Sequence, residues 1–273
     1  MIGPRGTARA RVLAPVLGLA FAVAASTPGF AQDILYSPDI TLIGGGTLSA
    51  DEDVARDVGG ASVTELAGLP AAVDLVAFES LDGTQFLVFD TAVEVDGEIF
   101  QPSDVAISDG GGLEIFFKGQ ASGIPPGVRI DALAVNDGGE LFFSIDIDAE
   151  IEGEIYRDDD VIFFDGSYQV IFKGQSSGVP ANLDIDALAV VDGGDLVMSF
   201  DVGGTIAGIQ FGDEDMLFYD GGWALFEKGQ SLSSSFAAGD LDALALADPI
   251  NIGLIFADGF ESGDVSAWDA LIN

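Results

Sequence analysis

Four apolar runs of six residues recur along the chain, at residues 73–78, 130–135, 185–190 and 241–246. Each run has an aspartate at its second position. Runs this short, bounded by glycine and aspartate, predict buried β-strands rather than helices. We call these four segments the a strands.

Further apolar runs follow the a strands with regular spacing. Strand b is predicted at 86–90, 141–146 and 196–201, strand c at 161–164 and its equivalents, and an Asp-Gly turn then leads into strand d. Asp-Gly between apolar runs is a strong hairpin signal, because both residues tolerate the positive φ of tight turns. Strand d ends in Lys-Gly-Gln three times, and Lys118, Lys173 and Lys228 are the only lysines of the chain. Their constant spacing of 55 residues indicates one repeated supersecondary unit.

A unit of four short antiparallel strands is typical of the blade of a β-propeller. We therefore predict an all-β fold, a four-bladed β-propeller. The fourth blade is split, because residues 33–39, 51–54 and 63–66 match strands b, c and d, whereas the run at 241–246 supplies the missing a strand. A blade built from both ends closes the ring and removes exposed sheet edges. An open β-solenoid is the alternative.

The segments that lead into the a strands share a motif. Residues 68–74 read Gly-Leu-Pro-Ala-Ala-Val-Asp, and looser versions occupy residues 123–132 and 178–187. This pattern resembles the Gly-Leu-Pro…Ile-Asp-Ala junction of hemopexin-type repeats, over residues 34–247. The resemblance implies a four-bladed propeller whose a strands line an axial tunnel, where backbone carbonyls can hold calcium and anions. The chain departs from that family in having no disulfide, no Tyr-Trp pair after the second strand and longer repeats.

Twelve aspartates occupy repeated positions in these units. Four pairs are each separated by 14 residues with a glycine at the midpoint, and four further aspartates lie in the a strands. Antiparallel order places the start of a, the end of b and the start of c on one rim of the ring, so each blade presents three carboxylates there. The pairs are Asp39 with Asp53, Asp90 with Asp104, Asp146 with Asp160, and Asp201 with Asp215, and the a-strand members are Asp74, Asp131, Asp186 and Asp242.

Such a concentration of carboxylates needs compensation. Two carboxylates about 4 Å apart repel by roughly 4 kcal/mol at an effective dielectric constant near 20. Four such pairs would rival the stability of a whole domain, about 5–15 kcal/mol. Backbone donors together with the nearby lysines are one source of compensation, and calcium is another, since it prefers six to eight oxygen ligands. We therefore predict these twelve aspartates as candidate calcium ligands, with structural hydrogen bonding as the alternative.

The two ends of the chain bear on where the protein works. Residues 1–31 combine a basic start, an apolar stretch and small residues before Gln32, which predicts a signal peptide. Residues 32–248 would then form the propeller and 249–273 a tail. The tail reads Asp-Gly-Phe-Glu-Ser-Gly at 258–263, followed by Trp268, and resembles endings of exported proteins of Gram-negative bacteria. We expect a secreted, periplasmic or cell-surface protein without a membrane span.

Charge and missing residue types exclude several functions. All 46 acidic residues but only six of the nine basic ones follow residue 31, which leaves a net charge of −40. A chain this acidic repels nucleic acid and anionic membranes, and favours adaptation to salt or cation binding. The sequence contains neither cysteine nor histidine. Ser-His and Cys-His nucleophiles, and zinc held by these residues, are therefore excluded.

The sequence favours a non-catalytic binding or interaction module, expected to be a monomer, with a protein or polysaccharide as partner and calcium at the rim aspartates. One alternative is a carboxylate-based hydrolase or lyase that acts on polysaccharide. Another is a purely structural repeat adapted to salt. A single catalytic site would break the repeat symmetry, and the residues that break it are Glu79, Arg129, Arg157 and Trp223.

Overall fold

The computed structural model describes residues 33–39, 42–44, 47–50, 52–57, 62–66, 69, 73–95, 97–191, 193–232, 236 and 239–246. The predicted signal peptide and the predicted tail lie outside these residues. Among the helices of the described part, none is long and apolar enough to cross a membrane.

The described residues form 24 strands, most of them three to six residues long. In chain order they are β1 (Ile34–Pro38), β2 (Leu42–Gly44), β3 (Thr47–Ser49), β4 (Val54–Asp57), β5 (Ser62–Leu66), β6 (Leu75–Leu81), β7 (Thr84–Phe89), β8 (Val93–Val95), β9 (Glu98–Phe100), β10 (Asp104–Ser108), β11 (Glu114–Lys118), β12 (Ile130–Val135), β13 (Leu141–Ile145), β14 (Ala149–Ile151), β15 (Glu154–Tyr156), β16 (Asp160–Phe164), β17 (Tyr168–Lys173), β18 (Ile185–Val190), β19 (Leu196–Phe200), β20 (Gly204–Ile206), β21 (Ile209–Phe211), β22 (Met216–Tyr219), β23 (Trp223–Glu227) and β24 (Leu241–Leu246). A 3₁₀-helix (Gln120–Ser122) and two short α-helices, α1 (Gly174–Ser177) and α2 (Gly229–Leu232), contain the glutamines of the Lys-Gly-Gln repeats.

Four antiparallel sheets of four strands each form the blades. In order from strand a to strand d they are β6-β7-β10-β11 (blade 1), β12-β13-β16-β17 (blade 2), β18-β19-β22-β23 (blade 3) and β24-β1-β4-β5 (blade 4). In blade 4 the far end of the repeats joins the beginning, with Tyr36 opposite Leu244. The predicted four-bladed propeller with a shared closing blade is therefore confirmed, and the open solenoid is wrong.

Burial explains why the a strands are so apolar. All six residues of β12 are buried, whereas β17 at the outer edge of the same blade alternates between half-buried and exposed positions over most of its length. A strand covered on both faces is a continuous apolar run, and an outer strand shows alternation. Neighbouring blades then pack through aromatic rings. Phe117 of blade 1 lies 6.3 Å from Phe143 of blade 2, and Phe172 of blade 2 lies 5.9 Å from Trp223 of blade 3, measured between ring centroids.

The segment between strands b and c of each blade is a small hairpin of its own. These hairpins are β2-β3, β8-β9, β14-β15 and β20-β21. The tips of the last two have consecutive residues with positive φ, Glu152 (53°) with Gly153 (92°) and Ala207 (51°) with Gly208 (86°). Two consecutive positive φ angles define the type I′ turn, which is why glycine stands there. The glycine midway between the paired aspartates therefore turns a hairpin.

The Lys-Gly-Gln repeat is explained by its glycine. A Cβ atom on Gly174 would overlap the backbone oxygen of Asp159, and the same conflict arises at Gly119 and Gly229 against the equivalent residues. Close approach of two backbones leaves no room for a side chain. The Gly174 N–H also donates to the side chain of Asp160, at 3.2 Å. The glycine therefore fixes the end of strand d against the start of strand c.

Candidate functional site

The aspartates that begin strand c have a structural role. Asp104 accepts backbone N–H groups from Gln101 and Gly119, each at 3.0 Å. Asp160 and Asp215 bind the equivalent donors of their blades at 3.1–3.4 Å. Asp53 accepts the N–H of Ala50 at 3.2 Å. Each carboxylate thus joins a turn to its own strand, and in the first three cases also to the glycine after strand d.

The aspartates that end strand b bind the segment before strand a. Asp146 accepts the backbone N–H of Arg129 at 2.7 Å, and Asp201 accepts that of Asp184 at 2.9 Å. The same bond joins Asp90 to Asp74 at 3.3 Å, and Asp39 to Asp240 at 2.7 Å. For all eight paired aspartates the structure therefore contains the hydrogen bonds of the structural alternative. Their role as metal ligands stays a prediction.

The predicted a-strand aspartates converge at one end of the a strands, although Asp74 of blade 1 precedes β6 and is equivalent in register to Arg129. They line a cavity of about 380 Å³, which we call the acidic mouth, together with carboxylates from strand b and from the segment before strand a. Among the described residues, its charged groups are eight aspartates and one arginine: Asp74, Asp90, Asp131, Asp184, Asp186, Asp201, Asp240, Asp242 and Arg129.

The strand-c aspartates do not line this cavity, although the antiparallel order places them at the same end of their blades as the aspartates of strands a and b. Strand c is the third strand from the axis, so its start lies two strand spacings, about 10 Å, from strand a. The lysines are displaced in the same way. In the strand register Lys118 lies opposite Asp104 and Lys173 opposite Asp160. Lys228 Nζ lies 3.8 Å from Asp215 Oδ2. The predicted lysine compensation therefore concerns strand c, and the lysines do not line the acidic mouth.

Two carboxylates of the acidic mouth, Asp184 and Asp240, were missing from the predicted set. Each lies two residues before an a-strand aspartate, in the sequences Asp184-Ile185-Asp186 and Asp240-Leu241-Asp242. Side chains at i and i+2 of an extended segment lie on the same side. This alternation is a signal in the sequence that could have identified both residues.

Three of these carboxylates form a tight group. Asp186, Asp240 and Asp242 each offer one oxygen, and these three oxygens lie within 4.8 Å of one another. The Oγ of Ser199 donates to Asp186 Oδ1 at 3.0 Å, and the N–H of Leu241 donates to Asp240 Oδ1 at 2.8 Å. We call Asp186, Asp240 and Asp242 the carboxylate triad.

Burial makes ionisation of the triad costly. It raises the pKa of Asp242 to about 8, with further increases from the charges of Asp74 and Asp240. Burial also raises the pKa of Asp240 to about 7, and that of Asp186 well above its ordinary value. The pKa of neighbouring Asp184 rises to about 9, through burial and then the charge of Asp131. Burial and mutual repulsion therefore favour the protonated form of these groups, and a bound cation would favour the ionised form.

Arg129 neutralises negative charge at only one of the aspartates of the acidic mouth, Asp131. Arg129 Nε donates to Asp131 Oδ1 at 2.7 Å. Burial nevertheless raises the pKa of Asp131 overall, against the lowering effect of this arginine. In the described residues no basic side chain forms an ion pair with the triad.

The residues that break the repeat symmetry do not gather in one cleft. Arg129 lines the acidic mouth, whereas Glu79 lines a separate cavity. The Arg157 N–H donates to Asp160 at 3.4 Å in the turn before strand c. Trp223 packs against Phe172 and donates its indole N–H to the Ser177 carbonyl at 2.7 Å. Trp223 is thus a packing residue.

Comparison with solved structures gives matches of low similarity. A protein of unknown function from Bacteroides caccae shares 7% identity over 72% of this chain and 57% of that one, with a TM-score of 0.29. YCF48 from Cyanidioschyzon merolae shares 12% over 73% and 86%, with a TM-score of 0.28. The extracellular domain of the hybrid two component system BT4673 from B. thetaiotaomicron shares 8% over 72% and 34%, with a TM-score of 0.34. The chain spans about half of the first protein and a third of the last, and similarity at this level carries no argument about function.

No family model matches this sequence, and no curated protein matches it. The four-bladed architecture implied by the hemopexin resemblance is confirmed by the strand order. The hemopexin-type relationship itself stays a prediction, as does the resemblance of the tail, which lies outside the described residues.

Proposed function

We propose that this protein is a non-catalytic binding module that holds a calcium ion at the acidic mouth of its propeller. The observation that carries the proposal is the carboxylate triad, in which three largely buried to half-buried carboxylates place one oxygen each within 4.8 Å of the others, with no basic partner among the described residues. A divalent cation at this point would remove the cost of ionising them.

The ligand chemistry favours calcium over other divalent cations. Calcium accepts six to eight oxygens in flexible geometry, whereas zinc prefers nitrogen and sulfur ligands. Asp186, Asp240 and Asp242 can supply between about three and six oxygens, according to whether each binds through one oxygen or two. Asp131 stands close enough for its charge to raise the pKa of Asp186 and Asp242. Water would complete the shell.

The surroundings of the mouth support contact with a larger partner. Ile147 follows the strand-b aspartate of blade 2 and Val202 that of blade 3, and they are 50% and 41% exposed. Apolar side chains exposed at this end of strand b can contact a partner. A calcium ion at the mouth could then bind hydroxyl or carboxylate oxygens of a polysaccharide or protein. The predicted signal peptide supports a location outside the cytoplasm, which fractionation of the producing cells would test.

Isothermal titration of calcium into chelator-treated protein tests the proposal. We expect saturable heat for the wild type and its loss in Asp242→Asn, which keeps the shape of the side chain but removes its charge. Asp165→Asn is the matched control, because Asp165 is an exposed turn residue that binds only within its turn. Absence of saturable heat in the wild type, or an unchanged titration in Asp242→Asn, would refute the calcium site.

A further inference from the structure

A second cavity lies at the other end of the a strands. Its volume is about 420 Å³, within the roughly 300–1,000 Å³ typical of small-molecule pockets. Asp131 is the second residue of β12 and lines the acidic mouth, whereas Val135 is its last residue and lines this second cavity. The two cavities therefore occupy opposite ends of the a strands. All four blades contribute to the second one, through Glu79, Val135, Val190 and Leu246.

Glu79 breaks the symmetry of this cavity, because the equivalent positions of the other blades lack a carboxylate. In the strand register the corresponding positions of blades 2 and 3 hold Ala134 and Ala189. Glu79 is only 9% exposed, and its Oε1 accepts the backbone N–H of Ser80 at 2.8 Å. Burial raises the pKa of Glu79 to about 8, against the lowering effect of hydrogen bonds from the backbone of Ser80 and Val135. A carboxyl group placed alone against apolar walls is costly to ionise without a cation.

The polar groups of the cavity are predominantly acceptors. Asn136 uses its side-chain N–H on Glu140, and its side-chain oxygen accepts the N–H groups of Gly138 and Glu140. Asp137 is the other titratable residue among the described lining residues, and none of these is lysine or arginine. The walls between these groups are aliphatic, with the ring of Phe142 on one side. Such a cavity suits a ligand that supplies N–H donors and positive charge together with an apolar body.

We propose that the cavity around Glu79 binds a small organic cation, a protonated amine with an apolar portion. The ammonium group would donate to the Glu79 carboxylate, and the apolar portion would contact Val135, Val190 and Leu246. Phe142 adds an aromatic face that can attract a cation. This site is separate from the calcium site and does not depend on it.

Titration calorimetry with a panel of amines tests this site. Butylamine and phenethylamine would be compared at pH 7 with 1-butanol and 2-phenylethanol, which have similar shape but no charge. We expect the amines to bind and the alcohols not to bind. Glu79→Gln should weaken amine binding about tenfold or more, because a charge-assisted hydrogen bond is lost. Binding to the wild type should also release protons, since Glu79 must ionise, and this release should vanish in Glu79→Gln.

Two further variants show whether weaker amine binding reflects the Glu79 cavity itself, the loss of any negative charge, or misfolding. Asp165→Asn removes an exposed turn carboxylate that does not line the cavity and should leave amine binding unchanged. Val190→Phe narrows the cavity without altering Glu79 and should weaken binding if the variant is folded by circular dichroism. The proposal is overturned if none of the amines binds, if the alcohols bind equally well, or if folded Glu79→Gln binds amines like the wild type. Asp242→Asn should leave amine binding intact, so a failure of the calcium proposal can be distinguished from a failure of the amine proposal.

Discussion

The indole N–H of Trp223 in blade 3 donates to the carbonyl oxygen of Ser177 in blade 2, at 2.7 Å. The same bond occurs one repeat earlier, where the Tyr168 hydroxyl donates to the Ser122 carbonyl at 2.9 Å. In both cases an aromatic residue at the start of strand d reaches the short helix of the preceding blade. Leu113 stands at this position in blade 1 and has no polar group to form the bond. The repeat therefore includes a polar contact between blades, in addition to apolar packing.

Tyr168→Phe tests the contribution of this contact. It removes one hydroxyl and leaves the Ser122 carbonyl without that donor, while the ring packing remains. We expect a loss of about 1 kcal/mol in the free energy of unfolding, measured by urea denaturation. The neighbouring exposed residue provides the control, since Gln169→Ala should change stability by less than about 0.5 kcal/mol. Equal stability of Tyr168→Phe and wild type would show that the bond contributes nothing.

Gly174→Ala should be strongly destabilising. The new methyl group would overlap the backbone oxygen of Asp159, which cannot move without shifting the start of strand c. We expect a loss of about 2–3 kcal/mol or more in unfolding free energy. Gly222→Ala is a suitable control, because the nearest atom to its Cβ is a side-chain oxygen at 3.7 Å and its φ is not positive. If both variants unfold at the same urea concentration as the wild type, backbone contact does not explain the recurring glycine.

The acidic mouth predicts an unusual dependence of stability on pH. The pKa values of Asp240, Asp242 and Asp184 rise from 3.8 to about 7, 8 and 9. Between pH 4 and these values the folded protein holds protons that the unfolded chain has released. The stabilisation that these three groups contribute is therefore fully present below about pH 4 and is lost as the pH rises towards 9. Without calcium we expect stability in urea to fall from pH 5 to pH 9.

Asp242→Asn should flatten this fall, because one of the responsible groups no longer titrates. Saturating calcium should flatten it as well, because the cation replaces the protons. High sodium chloride in all samples reduces the general repulsion among the acidic residues. Stability that is constant or rises across this range in the calcium-free wild type would contradict the raised pKa values.

Much of the fold could be predicted because the a strands are buried on both faces. The predicted runs at 130–135, 185–190 and 241–246 coincide with β12, β18 and β24. The first a strand was predicted at 73–78 but forms at Leu75–Leu81, because Leu75 rather than Val73 pairs with the last residue of strand b, as Ile130 does in blade 2. The polar side chains of Glu79 and Ser80 hid the end of this strand from a prediction based on apolar runs.

The candidate sites were less accessible to sequence reasoning. Asp186 and Asp242 were predicted, but Asp240 was missed because it precedes the apolar run rather than lying within it. The strand-c aspartates were grouped with those of strands a and b, since the repeat in the sequence does not indicate how far each strand lies from the axis of the propeller. The cavity around Glu79 takes one wall from each of four blades, and residues 79 and 246 are brought together only when the ring closes.

Thermal unfolding in four buffers tests the calcium-binding module most directly: chelator alone, micromolar calcium, magnesium at the same concentration, and chelator with high sodium chloride. A ligand that binds only the folded state raises stability by about 2.7 kcal/mol at a concentration one hundred times its Kd. We predict a large increase in Tm with calcium, unmatched by magnesium or salt and absent in Asp242→Asn. An equal increase in Tm with magnesium or with salt would mean that cations only screen the acidic chain, and would contradict a calcium site at the acidic mouth.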